Sequence, residues 1–88
     1  MRPADPHRAL IRALARHFPG LLVLASRTEP WASITFTGTR HILTCADGID
    51  LARIEDAELP LPGHFAADVR VSRDGERLTI EALTIEDV

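Results

Sequence analysis

The sequence has no lysine, asparagine, glutamine or tyrosine, and its 88 residues include a single cysteine. Cys45 cannot form a disulfide within the chain, so we expect a reducing, cytoplasmic location by default. A zinc site usually draws three or four Cys, His or carboxylate ligands from recognisable clusters, which one cysteine and four scattered histidines do not provide. The five glycines are isolated from one another, so a glycine-rich phosphate loop is excluded. We expect no metal and no cofactor.

The sequence also lacks an apolar run long enough for a membrane span or a signal peptide. Its 13 acidic residues outnumber its 10 arginines, and the net charge of −3 gives no general attraction to nucleic acid or anionic lipid. With 45% hydrophobic and 26% charged residues, the composition is typical of a globular protein. We predict one small domain spanning residues 1–88, with no membrane association.

The first segment carries the start and stop signals of an amphipathic helix. Asp5 is a candidate N-cap followed by proline, and Pro19-Gly20 ends the segment. Apolar residues recur at helical spacing on one side, and arginines occupy the other. The apolar side consists of Leu10, Ile11, Leu14 and Phe18, and the arginine side of Arg8, Arg12 and Arg16.

Residues 21–45 predict a three-stranded antiparallel meander. Residues 21–26 form a continuous apolar run typical of a covered strand, and residues 27–30 are expected to form a loop. A type II′ turn centred on Gly38 and Thr39 then pairs Phe36 with His41 and continues the pairing along the two strands. The pattern puts His41, Leu43 and Cys45 on the apolar face.

Residues 66–85 predict a closing hairpin. A type I′ turn at Asp74-Gly75 pairs Val71 with Leu78 on the apolar face and Asp68 with Glu81 on the polar face. Beyond Ala82 the alternation of apolar and polar residues inverts, because Leu83 and Ile85 fall on the polar face unless a bulge or a strand end intervenes.

The connection between these units is the least regular part of the sequence, and a short second helix at residues 49–57 is one interpretation of it. The complete prediction is an α+β domain, with the N-terminal helix packed on an antiparallel sheet of about five strands.

Four apolar residues interrupt the outer face of the predicted sheet: Trp31, Ile42, Leu83 and Ile85. Exposed apolar patches on small domains tend to mark interfaces, so these residues are our candidate interface. An alternative weighed equally is that residues 49–57 fold under this face and cover it.

A polar cluster gives a second candidate site, formed by His64, Asp68, Arg70 and Glu81. Carboxylates on Asp68 and Glu81 would lie about 5 Å apart if the two residues are directly opposite, close enough to act as an acid and a base. The simpler interpretation is that Arg70 bridges both acids in an exposed charge cluster. His64 lies about 13 Å from Asp68 along a regular strand, too far for a hydrogen bond.

These observations give three functional hypotheses. The first is a small protein-interaction or self-assembling domain, a homodimer or a partner of another protein, without catalytic activity of its own. The second is a ligand-binding or catalytic domain with a site at the polar cluster, at a dimer boundary. The third and weakest is nucleic-acid binding through Arg8, Arg12 and Arg16, because four arginines and one aspartate give the first 18 residues a charge of +3.

Overall fold

The chain forms one helix and a four-stranded antiparallel sheet in a computed structural model that describes residues 5–46, 48, 50–51 and 53–86. The sheet has the strand order β1-β2-β4-β3, so the two edge strands are β1 and β3. The α+β class is confirmed, but the sheet has four strands rather than five. The elements are α1 (Pro6–His17), β1 (Val23–Ala32), β2 (Thr37–Ala46), a 3₁₀ turn (Ile54–Asp56), β3 (His64–Asp74) and β4 (Arg77–Glu86).

Helix α1 begins and ends where the sequence indicates. The Asp5 side chain accepts a hydrogen bond from the His7 backbone N–H at 3.0 Å, Pro6 takes the first helical position, and the Phe18 N–H closes the last turn on the Leu14 carbonyl. Leu10 and Leu14 are fully buried. No helix in the described parts of the chain is long and apolar enough to cross a membrane.

The predicted turn at Gly38-Thr39 is wrong, because the hairpin turns earlier, at residues 33–36. The Ser33 hydroxyl accepts hydrogen bonds from the backbone N–H groups of Thr35 and Phe36 at 3.3 and 3.0 Å, and the Ser33 N–H donates to the Phe36 carbonyl. A serine side chain can close a turn in this way without glycine.

Moving this turn changes the strand count. Ala32 pairs with Thr37 and Thr28 pairs with His41, so β1 runs without interruption through the predicted loop at residues 27–30. Pro30 is tolerated within it because β1 is an edge strand, where a residue without an N–H can face away from its neighbour. The two short strands expected here are therefore one long strand.

Gly38 lies inside β2, and its role is close packing rather than turn formation. A Cβ atom at this position would overlap the Thr84 carbonyl oxygen and lie 3.2 Å from the Ile85 Cα. The absence of a side chain lets the β2 backbone approach β4 at this point.

The closing hairpin is also displaced from its predicted register. Its central turn residues are Gly75 and Glu76, and Asp74 pairs with Arg77. Gly75 has a φ of 61°, whereas Glu76 is not in the positive-φ region. In the observed turn only Gly75 has a positive φ. The predicted type I′ turn would also require a positive φ at Asp74, and this left-handed conformation is unfavourable for residues other than glycine. The predicted pairing of Val71 with Leu78 is therefore wrong.

A β-bulge in β3 resolves the inversion of the apolar pattern. The register shifts between Ala67 and Arg70, and Asp68 within this interval has a φ of 51°. Arg70, not Asp68, lies opposite Glu81. The extra residue moves Ala67 to the face of Leu83 and leaves Val71 on the opposite face, beside Ile80.

The two sheet faces have different surroundings. The inner face, defined by His41, Leu43 and Cys45 of β2 and the residues paired with them, packs against α1 and against the connection between β2 and β3. Leu51 and Ile54 belong to this core, so the connection does not cover the outer face as one interpretation proposed. Of the predicted helix at 49–57, the described part contains only the 3₁₀ turn at Ile54–Asp56, and residues 49 and 52 lie outside the described residues.

We expect Gly38→Ala to destabilise the fold by about 2–3 kcal/mol, because the new methyl group would meet the β4 backbone, which cannot rotate away. Urea unfolding measures this change. Gly63→Asn is the matched control, since Gly63 has open space around its Cβ position and a φ of 72° that asparagine tolerates. Equal unfolding midpoints for the two variants would show that β2 does not approach β4 closely at Gly38.

Candidate functional site

The outer face carries a cleft of about 260 Å³ between the edge strands. The register explains its composition, because Arg40 of β2 pairs with Leu83 of β4, and Arg70 of β3 pairs with Glu81 of β4. We call this cavity the outer cleft; its lining residues are Trp31, Arg40, Asp68, Arg70, Glu81, Ala82 and Leu83.

All four predicted interface residues lie on the outer face, but three are more buried than expected. Ile42, Leu83 and Ile85 are only 8%, 6% and 7% exposed, while Trp31 is half-buried. The cleft at Leu83 is also lined by the long side chains of Trp31, Arg40 and Arg70. Long side chains of this kind can cover an apolar residue beneath them. Three of the predicted residues therefore form the floor of this face rather than exposed anchors.

A row of residues that includes the exposed Phe65 crosses one end of the outer face. Trp31 pairs with Gly38, Gly38 with Ile85, and Ile85 with Phe65, so these residues form one row across the four strands. The Phe65 side chain is 43% exposed. The sequence analysis did not select Phe65, because the bulge that moves it to the outer face was not assigned to a position.

Three of the four residues of the predicted polar cluster meet at the outer cleft: Asp68, Arg70 and Glu81. His64 does not join them, since its Nδ1 donates to the Pro62 carbonyl oxygen at 3.1 Å and its backbone pairs with Glu86 at the start of β3. The bulge also removes the predicted Asp68–Glu81 pair of opposed carboxylates.

The predicted bridge from Arg70 to both acids is absent. None of Asp68, Arg70 and Glu81 forms an ion pair with a described residue, and the Arg27–Glu29 pair, at 3.2 Å, lies elsewhere on β1. The cleft thus presents two arginines and two carboxylates that make no ion pair with any described residue.

The arginine side of α1 is exposed to solvent along its length. Arg12 and Arg16 border a shallow groove of about 140 Å³ that Pro60 and Pro62 close on the other side. Arg8 lies one turn earlier on the same helix and is also exposed. This arrangement is typical of the solvated face of an amphipathic helix.

A second site, which the sequence analysis missed, lies on the inner face at the start of α1. His7 Nδ1 lies 2.9 Å from His41 Nδ1, and His7 Nε2 lies 2.9 Å from Ser26 Oγ. His41 Nε2 lies 2.8 Å from Thr84 Oγ1. We call this sequence of hydrogen bonds the imidazole chain; it joins α1, β1, β2 and β4.

The two imidazole rings meet edge to edge. Their planes differ by 6°, and their centroids are 5.1 Å apart. This centroid separation is far larger than that of rings stacked face to face. It is close to the largest centroid separation that is possible when the two Nδ1 atoms are 2.9 Å apart. The rings therefore lie in nearly one plane, so an N–H on one points at the lone pair of the other.

Burial restricts the protonation of this chain. His41 and Thr84 are 0% exposed, and the pKa of His41 is lowered to about 4, mainly by burial and secondarily by the neighbouring His7. If both rings were charged, both Nδ1 atoms would carry protons and neither could accept. A neutral His41 keeps one acceptor for His7 and one N–H for Thr84.

The sequence does contain a signal for this site. His7 precedes Leu10 by three residues and Leu14 by seven, which puts it on the buried side of the helix, and His41 alternates with Leu43 on the inner face. With the turn misplaced, however, His41 was expected near Phe36 at a hairpin tip. Ser26 and Thr84 become its neighbours only in the observed register.

Among the described residues, these groups are accompanied neither by a reactive thiol nor by a metal site. Cys45 is fully buried, and burial raises the pKa of its thiol, so the reactive thiolate is disfavoured. In the described parts of the chain no group of three or more His, Cys, Asp or Glu residues is arranged to hold a metal ion.

Comparison of the chain with protein-family models, with curated proteins and with solved structures found no match. The outer cleft and the imidazole chain are therefore the features from which function is inferred.

We expect stability to fall as the pH decreases from 6.5 to about 4. In this window the unfolded chain protonates His41 and the folded chain does not, so unfolding takes up a proton and becomes easier as the pH falls. His41 should lower the free energy of unfolding by about 3 kcal/mol across this window, because its pKa falls from 6.5 to about 4 on folding and each pKa unit is worth about 1.4 kcal/mol. Below pH 4 this contribution levels off.

Urea unfolding across this window, in wild type and His41→Gln, measures the effect. Glutamine offers a donor and an acceptor but does not titrate, so the variant should lose less stability than the wild type does. His17→Gln is the control, since His17 is exposed at the end of α1. Asp5, His7 and His64 also act electrostatically on His41 and remain in every variant. Parallel curves for wild type and His41→Gln would contradict the assignment.

Proposed function

We propose that this protein is a self-assembling interaction domain that forms a homodimer through its outer sheet face, without catalysis at the outer cleft. The observation that carries the proposal is that α1 and the described part of the connection contribute their buried residues to the inner-face core, while the outer face bears the half-buried Trp31, the exposed Phe65 and the outer cleft. Tryptophan and arginine are the residue types most enriched where binding energy concentrates in interfaces.

Charge supports a second copy as the occupant of this face. The outer cleft offers Arg40 and Arg70 together with Asp68 and Glu81, and none of them is ion-paired with a described residue. A two-fold interface brings the same patch from both subunits together, so it must be self-complementary. A patch with two charges of each sign can place its arginines against the carboxylates of its copy.

The dimensions of the sheet limit how strong a face-to-face dimer can be. Four strands about 4.8 Å apart and ten residues long, at about 3.3 Å per residue, present a face of roughly 600 Å². Specific interfaces bury about 800 Å² per partner, and weaker ones about 600 Å² or less. A face-to-face dimer would therefore be weak and dependent on concentration, with a dissociation constant roughly in the micromolar range.

Assembly through a strand edge is disfavoured by features at both edges. On β1, Pro30 offers no N–H to a new strand, and the Arg27–Glu29 ion pair keeps charge along the edge. On β3, the bulge at Asp68 interrupts the regular row of backbone donors and acceptors. The face is the better candidate for contact.

The outer cleft is less suited to a free small molecule. Its volume of about 260 Å³ lies below the roughly 300–1,000 Å³ of usual ligand pockets, and mixed charges line it. The arginine side of α1 supports nucleic-acid binding less well, because the rest of the chain is acidic.

Light scattering across a dilution series tests the dimer. We expect wild type to dissociate roughly in the micromolar range and Phe65→Asp to remain monomeric, because the charge would be buried at the contact. Leu22→Asp is the control; Leu22 is 57% exposed but precedes β1 and lies outside the row formed by Trp31 and Phe65. A wild-type monomer at every concentration, or equal dimerisation in the two variants, would contradict the proposal.

The single tryptophan provides an independent measurement at the same place. Trp31 lines the outer cleft, so its fluorescence should shift to longer wavelength as the dimer dissociates and water reaches the ring. The midpoint of this shift should match that from light scattering. A dimer that forms without any change at Trp31 would place the contact on another surface.

A further inference from the structure

Ser26, His7 and His41 have the arrangement of a nucleophile, a base and the group that orients the base. We propose that this imidazole chain makes the Ser26 hydroxyl reactive towards activated acyl compounds such as aryl esters. His7 would act as general base, and His41 would be a positioning residue. The proposal does not depend on the dimer, because the imidazole chain lies on the inner face.

The distances meet the geometric requirement for such a group. A base must lie about 2.6–3.2 Å from the hydroxyl that it deprotonates, and the orienting residue must hold the other ring nitrogen. Ser26 Oγ lies 2.9 Å from His7 Nε2, and His7 Nδ1 lies 2.9 Å from His41 Nδ1. Ser26 is exposed, so a reagent can reach it, whereas His41 is fully buried and held at its far side by Thr84.

One arrangement of protons leaves His7 able to act as a base. His41 donates from Nε2 to Thr84 and accepts at Nδ1 from His7, so His7 Nε2 is free to accept the Ser26 proton. When His7 takes up that proton, His41 remains neutral and still accepts from it. The whole chain stays hydrogen-bonded in both states, so the transfer needs no rearrangement of a buried group.

The chemical step balances within these groups and the ester. Ser26 Oγ forms a bond to the carbonyl carbon while its proton moves to His7 Nε2. The bond from that carbon to the leaving-group oxygen then breaks, and His7 returns the proton to the departing alcohol. In the second half, water gives a proton to His7 and attacks the acyl carbon, and the Ser26 oxygen leaves and recovers the proton.

A purely structural role predicts a different behaviour. Hydrogen bonds that only dock α1 on the sheet would contribute about 1 kcal/mol each to stability and give Ser26 no special reactivity. Reactivity at one serine therefore separates the two roles. Ser33 and Ser72 are internal controls, since both are exposed and neither is hydrogen-bonded to a histidine in the described parts of the chain.

The test uses p-nitrophenyl acetate with the full chain. We expect release of nitrophenol together with an acetyl group on Ser26, located by peptide mass spectrometry, and none on Ser33 or Ser72. His7→Gln should slow nitrophenol release by about 100-fold, the lower end of the contribution of a general base, and Ser26→Ala, which removes the nucleophile, should slow it at least as much. His17→Gln should react like wild type, since His17 is exposed away from Ser26.

Two further measurements keep the result interpretable. Urea unfolding of each variant at neutral pH shows whether it is folded, so a lost rate is not mistaken for a lost fold. The pH–rate profile of wild type should rise as one group loses a proton. His41→Gln should move the midpoint of this rise, because the substitution changes the hydrogen-bond partner of His7 Nδ1. Asp5 and His64, which also act electrostatically on His41, are present in both proteins.

Three outcomes would overturn the proposal. The first is no acetyl group on Ser26. The second is an unchanged rate in Ser26→Ala, which would mean that a histidine attacks the ester by itself. The third is an unchanged rate in folded His7→Gln, which would leave the imidazole chain with a structural role only.

Discussion

The register between β1 and β2 is the constraint on which both candidate sites depend. The turn that Ser33 closes sets Ala32 opposite Thr37, and the pairs from there to Ala25 and Thr44 keep the same register. Because side chains alternate along a strand, a slip of one residue would move His41 to the outer face and Ile42 into the core. The position of this turn therefore contributes to deciding which side chains face α1 and which line the outer face.

The inner face combines an apolar core with one polar path through it. The core residues bury their surface without polar partners, whereas His41 and Thr84 are buried only because each ring nitrogen and hydroxyl has a partner. Unpaired polar groups in such a place would destabilise the fold by several kcal/mol. This requirement positions the first turn of α1 on the sheet, since His7 supplies the partner that His41 needs.

The outer face shows the opposite balance. Its apolar residues Ile42, Leu83 and Ile85 are buried, and the long side chains of Trp31, Arg40 and Arg70 line the cleft at Leu83. The charged groups above this floor make no ion pairs with described residues at the cleft. The same two central strands therefore present buried, satisfied polar groups to the helix and open, unpaired charges to the other side.

Local signals in the sequence determined the helix, its ends, the α+β class and the alternation of His41, Leu43 and Cys45. Each depends on residues close together in the chain, such as the Asp5 cap and the proline that follows it. The positions of the turns, the bulge at Asp68 and the meeting of Ser26, His7, His41 and Thr84 were decided by the tertiary structure. Gly38 shows the physical reason: its local pattern is typical of a turn, but the approach of the β4 backbone, 46 residues later at Thr84, is what requires a glycine there.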